Sequence, residues 1–253
     1  QYFFVAAGLA AIVREHMRVY GTMDNFHEKH TIQLNDTHPV LVVPELMRIL
    51  MDEFNYEWDK AWEITSNTCA YTNHTILAEA LEKWPVHYLK KVVPQLMPII
   101  EVLDDKVRRK FDNEAVYIID KDERVHMAHI DIHYGFSVNG VASLHTDILK
   151  DNELNHFYQI YPEKFNNKTN GITFRRWLLH SNHKLAELIT SLIGDGYKKD
   201  AMELEKLAAF VEDEKVLKQI LDIKNENKKA LKDYLKRTQN LDINENAIFD
   251  IQI

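Results

Sequence analysis

Two stretches, TIQLNDTHP (Thr31–Pro39) and CAYTNHT (Cys69–Thr75), decide the fold. Each begins with a short apolar run typical of a buried strand and then stops in polar residues that favour a loop. The residues between them, 40–68, carry apolar side chains at helical spacing that continue through Trp58 and Trp62. A strand, a helical passage and a second strand are the repeating unit of an α/β fold with a parallel sheet. We therefore predict an α/β domain in which these two loops follow neighbouring strands.

The two loops are the candidate functional site, because ligands of α/β folds bind at the carboxyl ends of the strands. They offer the carboxylate of Asp36, the imidazoles of His38 and His74, two carboxamides and three threonine hydroxyls. This set is suited to hydrogen-bonding a neutral polyhydroxylated ligand such as a sugar, and no nucleophile stands out. The residues alone leave a simpler alternative open. In it Asp36 caps the next helix and the histidines are ordinary loop residues.

Composition narrows the range of partners. The chain has 253 residues, enough for one large domain or two small ones, and a net charge of −8. That charge argues against nucleic acid as a main partner, because phosphate binding draws on clustered Lys and Arg. Cys69 is the one cysteine, so no intramolecular disulfide can form and a reducing, cytoplasmic compartment is expected. No run approaches the roughly 20 apolar residues of a membrane span, and no membrane partner is expected.

The domain organisation is predicted from a change in pattern after Asn170 and Gly171. Before this point strands and helices alternate, whereas residues 172–253 are predicted to be almost all helix up to about Ala247. The chain lacks an initiating Met and ends on the apolar run 248–253, as a strand cut short would. We therefore expect a fragment of a longer protein, with a domain boundary at residue 171.

Three histidines, His126, His129 and His133, form an H-x2-H-x3-H cluster. Residues 125–132 are predicted to be extended after a polar turn at 120–123, which places His129 and His133 on one face and His126 on the other. That geometry is poor for three ligands of one ion, so we expect no metal site. A metal-dependent hydrolase that uses this cluster remains an alternative.

Six runs of sequence in matching order closely resemble the glycogen, starch and maltodextrin phosphorylase family. They are IQLNDTHP (32–39), CAYTNHT (69–75), ALEKWPVHYL (80–89), MAHI (127–130), VNGVASLHTDIL (138–149) and KFNNKTNGITFRRWL (164–178). Residues 133–137, HYGFS, depart from the Gly-Ser-His run that many members carry there. The resemblance spans nearly the whole chain but only a middle portion of the family's sequence.

The resemblance implies a GT-B type fold, in which two Rossmann-like domains face each other across a deep cleft. Residues 1–171 are expected to form the later part of the N-terminal domain and residues 172–253 the incomplete helical beginning of the C-terminal domain. The implied reaction is retaining phosphorolysis of a terminal α-1,4-linked glucose of glycogen or maltodextrin, with inorganic phosphate as co-substrate and glucose 1-phosphate as product.

Pyridoxal 5'-phosphate is the implied cofactor, with its phosphate group as proton relay. Its attachment lysine and the other cofactor-binding residues are expected beyond Ile253, so none is expected within this chain. The full-length enzyme is expected to be a homodimer, and the isolated fragment is expected to be inactive. A stand-alone glucan-binding or structural module without catalysis is the alternative.

Roles for single residues also follow from the resemblance. Asp36 and His38 match residues that line the cleft wall near the anomeric substituent of glucose. His74, the expected catalytic residue, matches a histidine that contacts the 6-hydroxyl and presents its backbone carbonyl toward the anomeric centre, where positive charge develops.

The remaining residues of the set are expected to bind substrate. The asparagine that matches Asn170 hydrogen-bonds sugar hydroxyls. Asn139 and Val141 match a segment that packs against the glucose ring, and Ala80 belongs to the same substrate-binding set.

Overall fold

The computed structural model describes residues 1–77 and 81–250. Ala80 therefore lies outside the described residues. The chain forms two compact units, Gln1–Asn170 and a second unit that begins at Gly171. Among the described residues, no helix combines the length and apolar character that a membrane span requires.

Helices and strands alternate along the first unit. The strands are β1 (Ile32–Asn35), β2 (Cys69–Thr72), β3 (Lys83–Pro85), β4 (Arg124–His126), β5 (Val138–Gly140) and β6 (Phe165–Asn167). The helices are α1 (Tyr2–Tyr20), α2 (Phe26–Lys29), α3 (Val42–Arg48), α4 (Trp58–Thr68), α5 (Val86–Val92), α6 (Met97–Lys110), α7 (Met127–Tyr134), α8 (Ser143–Ile148) and α9 (Asn155–Ile160). Helices α3 and α8 each continue into a π-helical turn, Ile49–Glu53 and Leu149–Glu153.

Four of the strands form a parallel sheet in the order β1-β2-β5-β6. The predicted strand–helix–strand unit is confirmed, because β1 and β2 are parallel neighbours joined through α3 and α4. One row across the sheet is apolar and buried, and it consists of Leu34, Tyr71, Val138 and Phe165. The next row toward the carboxyl ends is polar, and it consists of Asn35, Thr72, Asn139 and Asn166. The strands therefore change from core to polar groups within one residue of their ends.

The prediction that residues 125–132 are extended is wrong beyond His126. Strand β4 ends there and the chain continues directly into α7. Nearly every residue of α7 is buried, so the helix presents no polar face and gives no amphipathic period from which sequence could identify it. Strand β4 pairs antiparallel with β3, and an isolated bridge joins Val125 to Ile119 on the other side of the polar turn.

The regular structure of the second unit is helical, and no strand occurs in residues 171–250. Its elements are a π-helical segment (Arg175–His180), α10 (His183–Ile193), two 3-10 helices (Gly196–Lys198 and Ala201–Phe210) and α11 (Glu214–Gln239). Helix α11 begins where the carboxylate of Asp213 accepts hydrogen bonds from the backbone amides of Lys215 and Val216. The predicted terminal strand is not seen at Ile248–Asp250, and residues 251–253 lie outside the described range.

Candidate functional site

The carboxyl ends of the four parallel strands bring the predicted residues to one edge of the sheet. The backbone N–H of Asp36 donates to the carbonyl of Thr72 (2.9 Å), so the loop after β1 lies beside the loop after β2 as predicted. The amide of Asn73 in turn donates to the carbonyl of Asn139 (3.0 Å). These two loops carry Asp36, His38 and His74; Asn139 lies in β5, Val141 follows that strand, and Asn170 lies in the loop after β6.

Asp36 turns the chain out of β1. It adopts a φ of 59°, a left-handed conformation that Asp tolerates better than most residues. Its Oδ1 accepts the backbone N–H of Thr37 at 2.9 Å. Helix α3 begins only at Val42 and has no side-chain cap, so Asp36 is not a helix cap. The half-buried carboxylate is therefore held at the strand end.

Glu82 belongs to this site, although the sequence analysis did not select it. Its Oε2 accepts a hydrogen bond from the hydroxyl of Thr37 at 2.8 Å, and its Oε1 lies 3.8 Å from Nδ1 of His38. Thr37 is fully buried, whereas the His38 side chain is 69% exposed. Glu82 therefore fixes the loop after β1 and adds a second carboxylate beside Asp36. Its position within the ALEKWP run was the one available signal.

His74 is exposed, and its two neighbours hold the loop in place. Asn73 is fully buried; its Nδ2 donates to the hydroxyl of Tyr71 (2.9 Å), and its Oδ1 accepts the amide of Thr75 (3.0 Å). Among the described residues, none hydrogen-bonds the imidazole of His74. The ring is therefore free to meet a ligand while its backbone is fixed on both sides.

The side chain of Asn139 ties three strands together. Its Oδ1 accepts hydrogen bonds from the hydroxyl of Thr72 (2.8 Å) and from Nε2 of Gln33 (3.5 Å), and its Nδ2 donates to the carbonyl of Gly140 (2.9 Å). Asn139 is only 6% exposed. The side chain of Asn139 therefore stabilises the polar row of the sheet. Its backbone carbonyl accepts a hydrogen bond from the loop that carries His74.

Val141 and Asn170 lie together at the far end of the edge. The amide of Asn170 donates to the carbonyl of Val141 (2.8 Å), and the amide of Val141 donates to Nδ1 of His145 at the start of α8 (3.0 Å). The side chain of Asn170 is exposed. The exposed side-chain carboxamide of Asn170 thus lies beside the loop that follows β5.

A second group that sequence reasoning missed is Asp131, on α7 behind β2. It is fully buried, and neither of its carboxyl oxygens has a hydrogen-bond partner among the described residues. Burial raises its pKa well above the ordinary value, and the charges of Asp36 and Glu82 add to the increase. A charged residue inside the apolar run MAHIDI was the signal in the sequence.

We expect Asp131→Asn to stabilise the full-length protein, by an amount that grows with pH. Because the pKa of Asp131 is higher in the folded state, the unfolded chain loses this proton first, and stability falls as pH rises between the two pKa values. Within that window the wild type loses about 1.4 kcal/mol per pH unit through this group, whereas asparagine does not titrate. Thermal unfolding from about pH 4 to pH 8 measures the difference, and a gain that does not change with pH would contradict it.

The three histidines of the H-x2-H-x3-H cluster are held by separate protein partners. Nε2 of His126 lies 2.9 Å from a carboxylate oxygen of Asp120, and Nδ1 of His129 lies 2.6 Å from the carbonyl of Tyr117. Both ring nitrogens of His133 are engaged, with the hydroxyl of Tyr161 and the carbonyl of Val116. His129 and His133 lie one turn apart on α7, not on a strand as predicted. Across residues 1–77 and 81–250, no group of three potential ligands is placed to hold a metal ion.

Pyridoxal phosphate does not fit the described residues of this edge. Such a cofactor needs a lysine for its aldehyde and cations for its phosphate. Asp36 and Glu82 place two carboxylates beside β1 and β2, and Lys168, in the loop after β6, donates to Oδ1 of Asn166 (2.6 Å). The edge is thus suited to hydroxyl groups rather than to a phosphate ester.

The known proteins that this chain matches all indicate the same family. The chain is 53% identical over 254 residues to maltodextrin phosphorylase of Streptococcus pneumoniae, a match that covers all of this chain and 34% of that protein. It is 43% identical over 272 residues to the muscle form of glycogen phosphorylase of Bos taurus, covering 100% and 32%. It is 42% identical over 261 residues to glycogen phosphorylase of Bacillus subtilis, covering 100% and 33%.

The chain spans about a third of the length of the curated relatives it matches. Residues 1–253 match the carbohydrate phosphorylase family without a gap at either end. The parallel sheet and the loops at its carboxyl edge are formed by the same runs of sequence that carry the resemblance. The chain therefore belongs to the carbohydrate phosphorylase family.

Proposed function

We propose that this chain is part of an α-1,4-glucan phosphorylase and supplies the wall of its active site that binds glucose. The observation that carries the proposal is the shared edge, where an exposed imidazole, an exposed carboxamide and two carboxylates lie on a fixed backbone. Such groups bind and orient the hydroxyls of a sugar. The maltodextrin and glycogen phosphorylases it matches indicate the substrate class.

In this proposal the residues of the chain position the sugar rather than exchange protons with it. His74 offers its ring to the 6-hydroxyl, and its backbone carbonyl lies between the anchored residues Asn73 and Thr75. A carbonyl dipole fixed in this way stabilises the positive charge that develops at the anomeric carbon. Asp36 and His38 lie beside the anomeric carbon, and the side-chain carboxamide of Asn170 hydrogen-bonds a sugar hydroxyl.

The parts of the reaction that involve phosphate belong, in this proposal, to segments outside these 253 residues. Pyridoxal 5'-phosphate and the cations for inorganic phosphate would be held there, across a cleft of the GT-B type. Gln1–Asn170 would then belong to the N-terminal domain and the unit that begins at Gly171 to the C-terminal one. In the same proposal the full-length protein is a homodimer in the cytoplasm. The single buried cysteine is consistent with a reducing compartment.

The test is phosphorolysis by the full-length protein. With maltoheptaose and inorganic phosphate we expect release of glucose 1-phosphate, and we expect none when either is omitted. The isolated chain of 253 residues, assayed in parallel, is expected to release none, because the residues that the structure describes at its edge offer no cation site for phosphate. A full-length protein that binds maltoheptaose but releases no glucose 1-phosphate would favour the non-catalytic glucan-binding module.

A further inference from the structure

A cavity of about 560 Å³ lies at the amino ends of three of the parallel strands. Residues 66 and 67 of its lining precede β2, residues 135 and 136 precede β5, and residues 163 and 164 precede β6. The last turn of α6 also lines it. The candidate functional site lies at the carboxyl ends of the same strands, so this amino-end cavity is at the opposite end of the sheet. Its volume is that of a site for a small organic molecule.

Five aromatic side chains line the amino-end cavity: Trp62, Phe111, Tyr134, Phe136 and Tyr161. The ring of Trp62 packs edge-on against that of Tyr134, with 4.2 Å between the centroids. The two phenol hydroxyls are bonded within the protein, since that of Tyr134 donates to the carbonyl of Leu103 (2.6 Å) and that of Tyr161 lies 3.0 Å from Nδ1 of His133. A ligand in the cavity therefore meets ring surfaces rather than the hydroxyls of these tyrosines.

The cavity is lined by the run in which this chain departs from many members of its family. Four of the five residues of HYGFS (133–137) belong to the lining. Phe136 is 44% exposed although it lies two residues before the buried start of β5. A phenyl ring that contributes so little to the core is available to contact a ligand.

The charged residues of the lining are three lysines, Lys106, Lys110 and Lys164, and one glutamate, Glu163. Local positive charge stands out in a chain whose net charge is −8. The ammonium group of Lys164 donates to the carbonyls of Ile132 (3.0 Å) and His133 (2.9 Å) at the end of α7. Because an ammonium has three N–H donors, one remains without a hydrogen-bond partner among the described residues.

Two of these lysines converge on one ring. Nζ of Lys164 lies 4.1 Å and Nζ of Lys110 lies 5.5 Å from the centroid of Tyr161. Burial lowers the pKa of Lys164 to about 8, and the charge of Lys110 adds to the decrease, whereas Glu163 opposes it. The fold thus holds two like charges near each other, and an anionic group bound beside them would offset their repulsion.

The other cations of α6 are neutralised within the protein. Arg108 pairs with Asp104 (2.6 Å) and Arg109 with Asp105 (2.7 Å). Lys110, on the same turn, has no ion pair among the described residues and contacts only the rings of Phe111 and Tyr161. Its charge is therefore available to a ligand.

We propose that the amino-end cavity binds a small aromatic anion, such as an aryl carboxylate or an aryl phosphate. The ring of the ligand packs against Trp62 and Phe136, and its anionic group is bound by Lys110 and Lys164. Binding there needs no phosphorolysis, so it is independent of the proposed function.

The first test is isothermal titration calorimetry of the full-length protein with 2-naphthoate, 2-naphthamide and acetate. We expect 2-naphthoate to bind with a Kd below about 1 mM. The neutral 2-naphthamide has nearly the same shape and acetate has only the charge, so each is expected to bind at least about tenfold more weakly. Absence of 2-naphthoate binding, or equal affinity for 2-naphthamide, would overturn the assignment.

Substitutions then locate the bound anion. Lys110→Gln and Phe136→Ala are each expected to raise the Kd of 2-naphthoate by about three- to tenfold. Lys121→Gln is the matched control, because Lys121 is exposed in the polar turn 120–123 and has no ion pair among the described residues. It is expected to change the Kd by less than about twofold. An unchanged Kd in Lys110→Gln, or an equal loss in Lys121→Gln, would place the anion elsewhere and contradict the proposal.

A second readout uses the wild-type protein only. Acetic anhydride acylates exposed lysines, and mass spectrometry of the digested protein measures the extent at each position. We expect 2-naphthoate, but not 2-naphthamide, to slow acylation of Lys110 by about threefold or more and to leave Lys121 unaffected. Equal acylation of Lys110 with and without 2-naphthoate would overturn the proposal. Absence of glucose 1-phosphate release in a protein that binds 2-naphthoate would contradict the proposed function alone.

Discussion

Replacing His74 by alanine in the full-length protein is expected to lower kcat/KM for maltodextrin by about 10- to 100-fold with the fold intact. The imidazole is exposed and unused by the described residues, so its removal leaves no cavity and no unpaired buried group. The loss comes instead from the hydrogen bond to the sugar. Steady-state kinetics with maltoheptaose and phosphate measure the loss of kcat/KM. Thermal unfolding of the same samples tests whether the fold is intact.

His156→Ala is the control for this variant. His156 is an exposed histidine on α9, away from the carboxyl edge of the sheet, and its removal is expected to change neither kinetics nor stability. If His74→Ala retained wild-type kcat/KM while folded, the placement of the sugar at this loop would be wrong. An equal loss in both variants would point to a general effect of the substitution.

Gly140→Ala is the second change with a large expected effect. An added Cβ would lie 2.9 Å from the Cα of Thr146 and 3.0 Å from Nδ1 of His145, and it would also collide with the hydroxyl of Thr146. Because the first of these atoms is backbone, α8 must move as a whole. Overpacking of this kind costs about 1–3 kcal/mol and more where the backbone cannot yield.

The same movement would disturb the site. The amide of Val141 loses its bond to His145 when α8 shifts, and the carbonyl of Val141 holds Asn170. We therefore expect a lower thermal midpoint together with a loss of kcat/KM. Gly8→Ala is the control, since nothing lies within 4 Å of a Cβ at this exposed helical position. It is expected to stabilise α1 by up to about 1 kcal/mol. Similar stability of the two variants would contradict the collision.

The sequence alone predicted the parallel arrangement and the edge where the site lies. Apolar runs followed at once by polar residues, as at Leu34–Asp36 and Tyr71–Asn73, mark strand ends because a short polar side chain there can hydrogen-bond the backbone of the loop that follows. The carboxyl ends of parallel strands must meet at one edge, so the loops could be placed together without coordinates. The mostly helical character of the residues after 171 was likewise predicted, because apolar side chains recur there at helical spacing.

Other features could be recognised only from the tertiary structure. The helix α7 has no polar face, so its helical period is hidden and the sequence predicts a strand over residues 127–132 instead. Glu82 meets Thr37 across 45 residues of chain, and the pairing depends on how β3 returns toward the sheet. The same holds for Asp131, whose lack of a partner is a property of the packed space between α7 and β2. The spacing of apolar residues in a sequence indicates which positions are exposed to solvent. Contacts between buried polar groups, in contrast, arise from the packing of elements that are distant in the sequence.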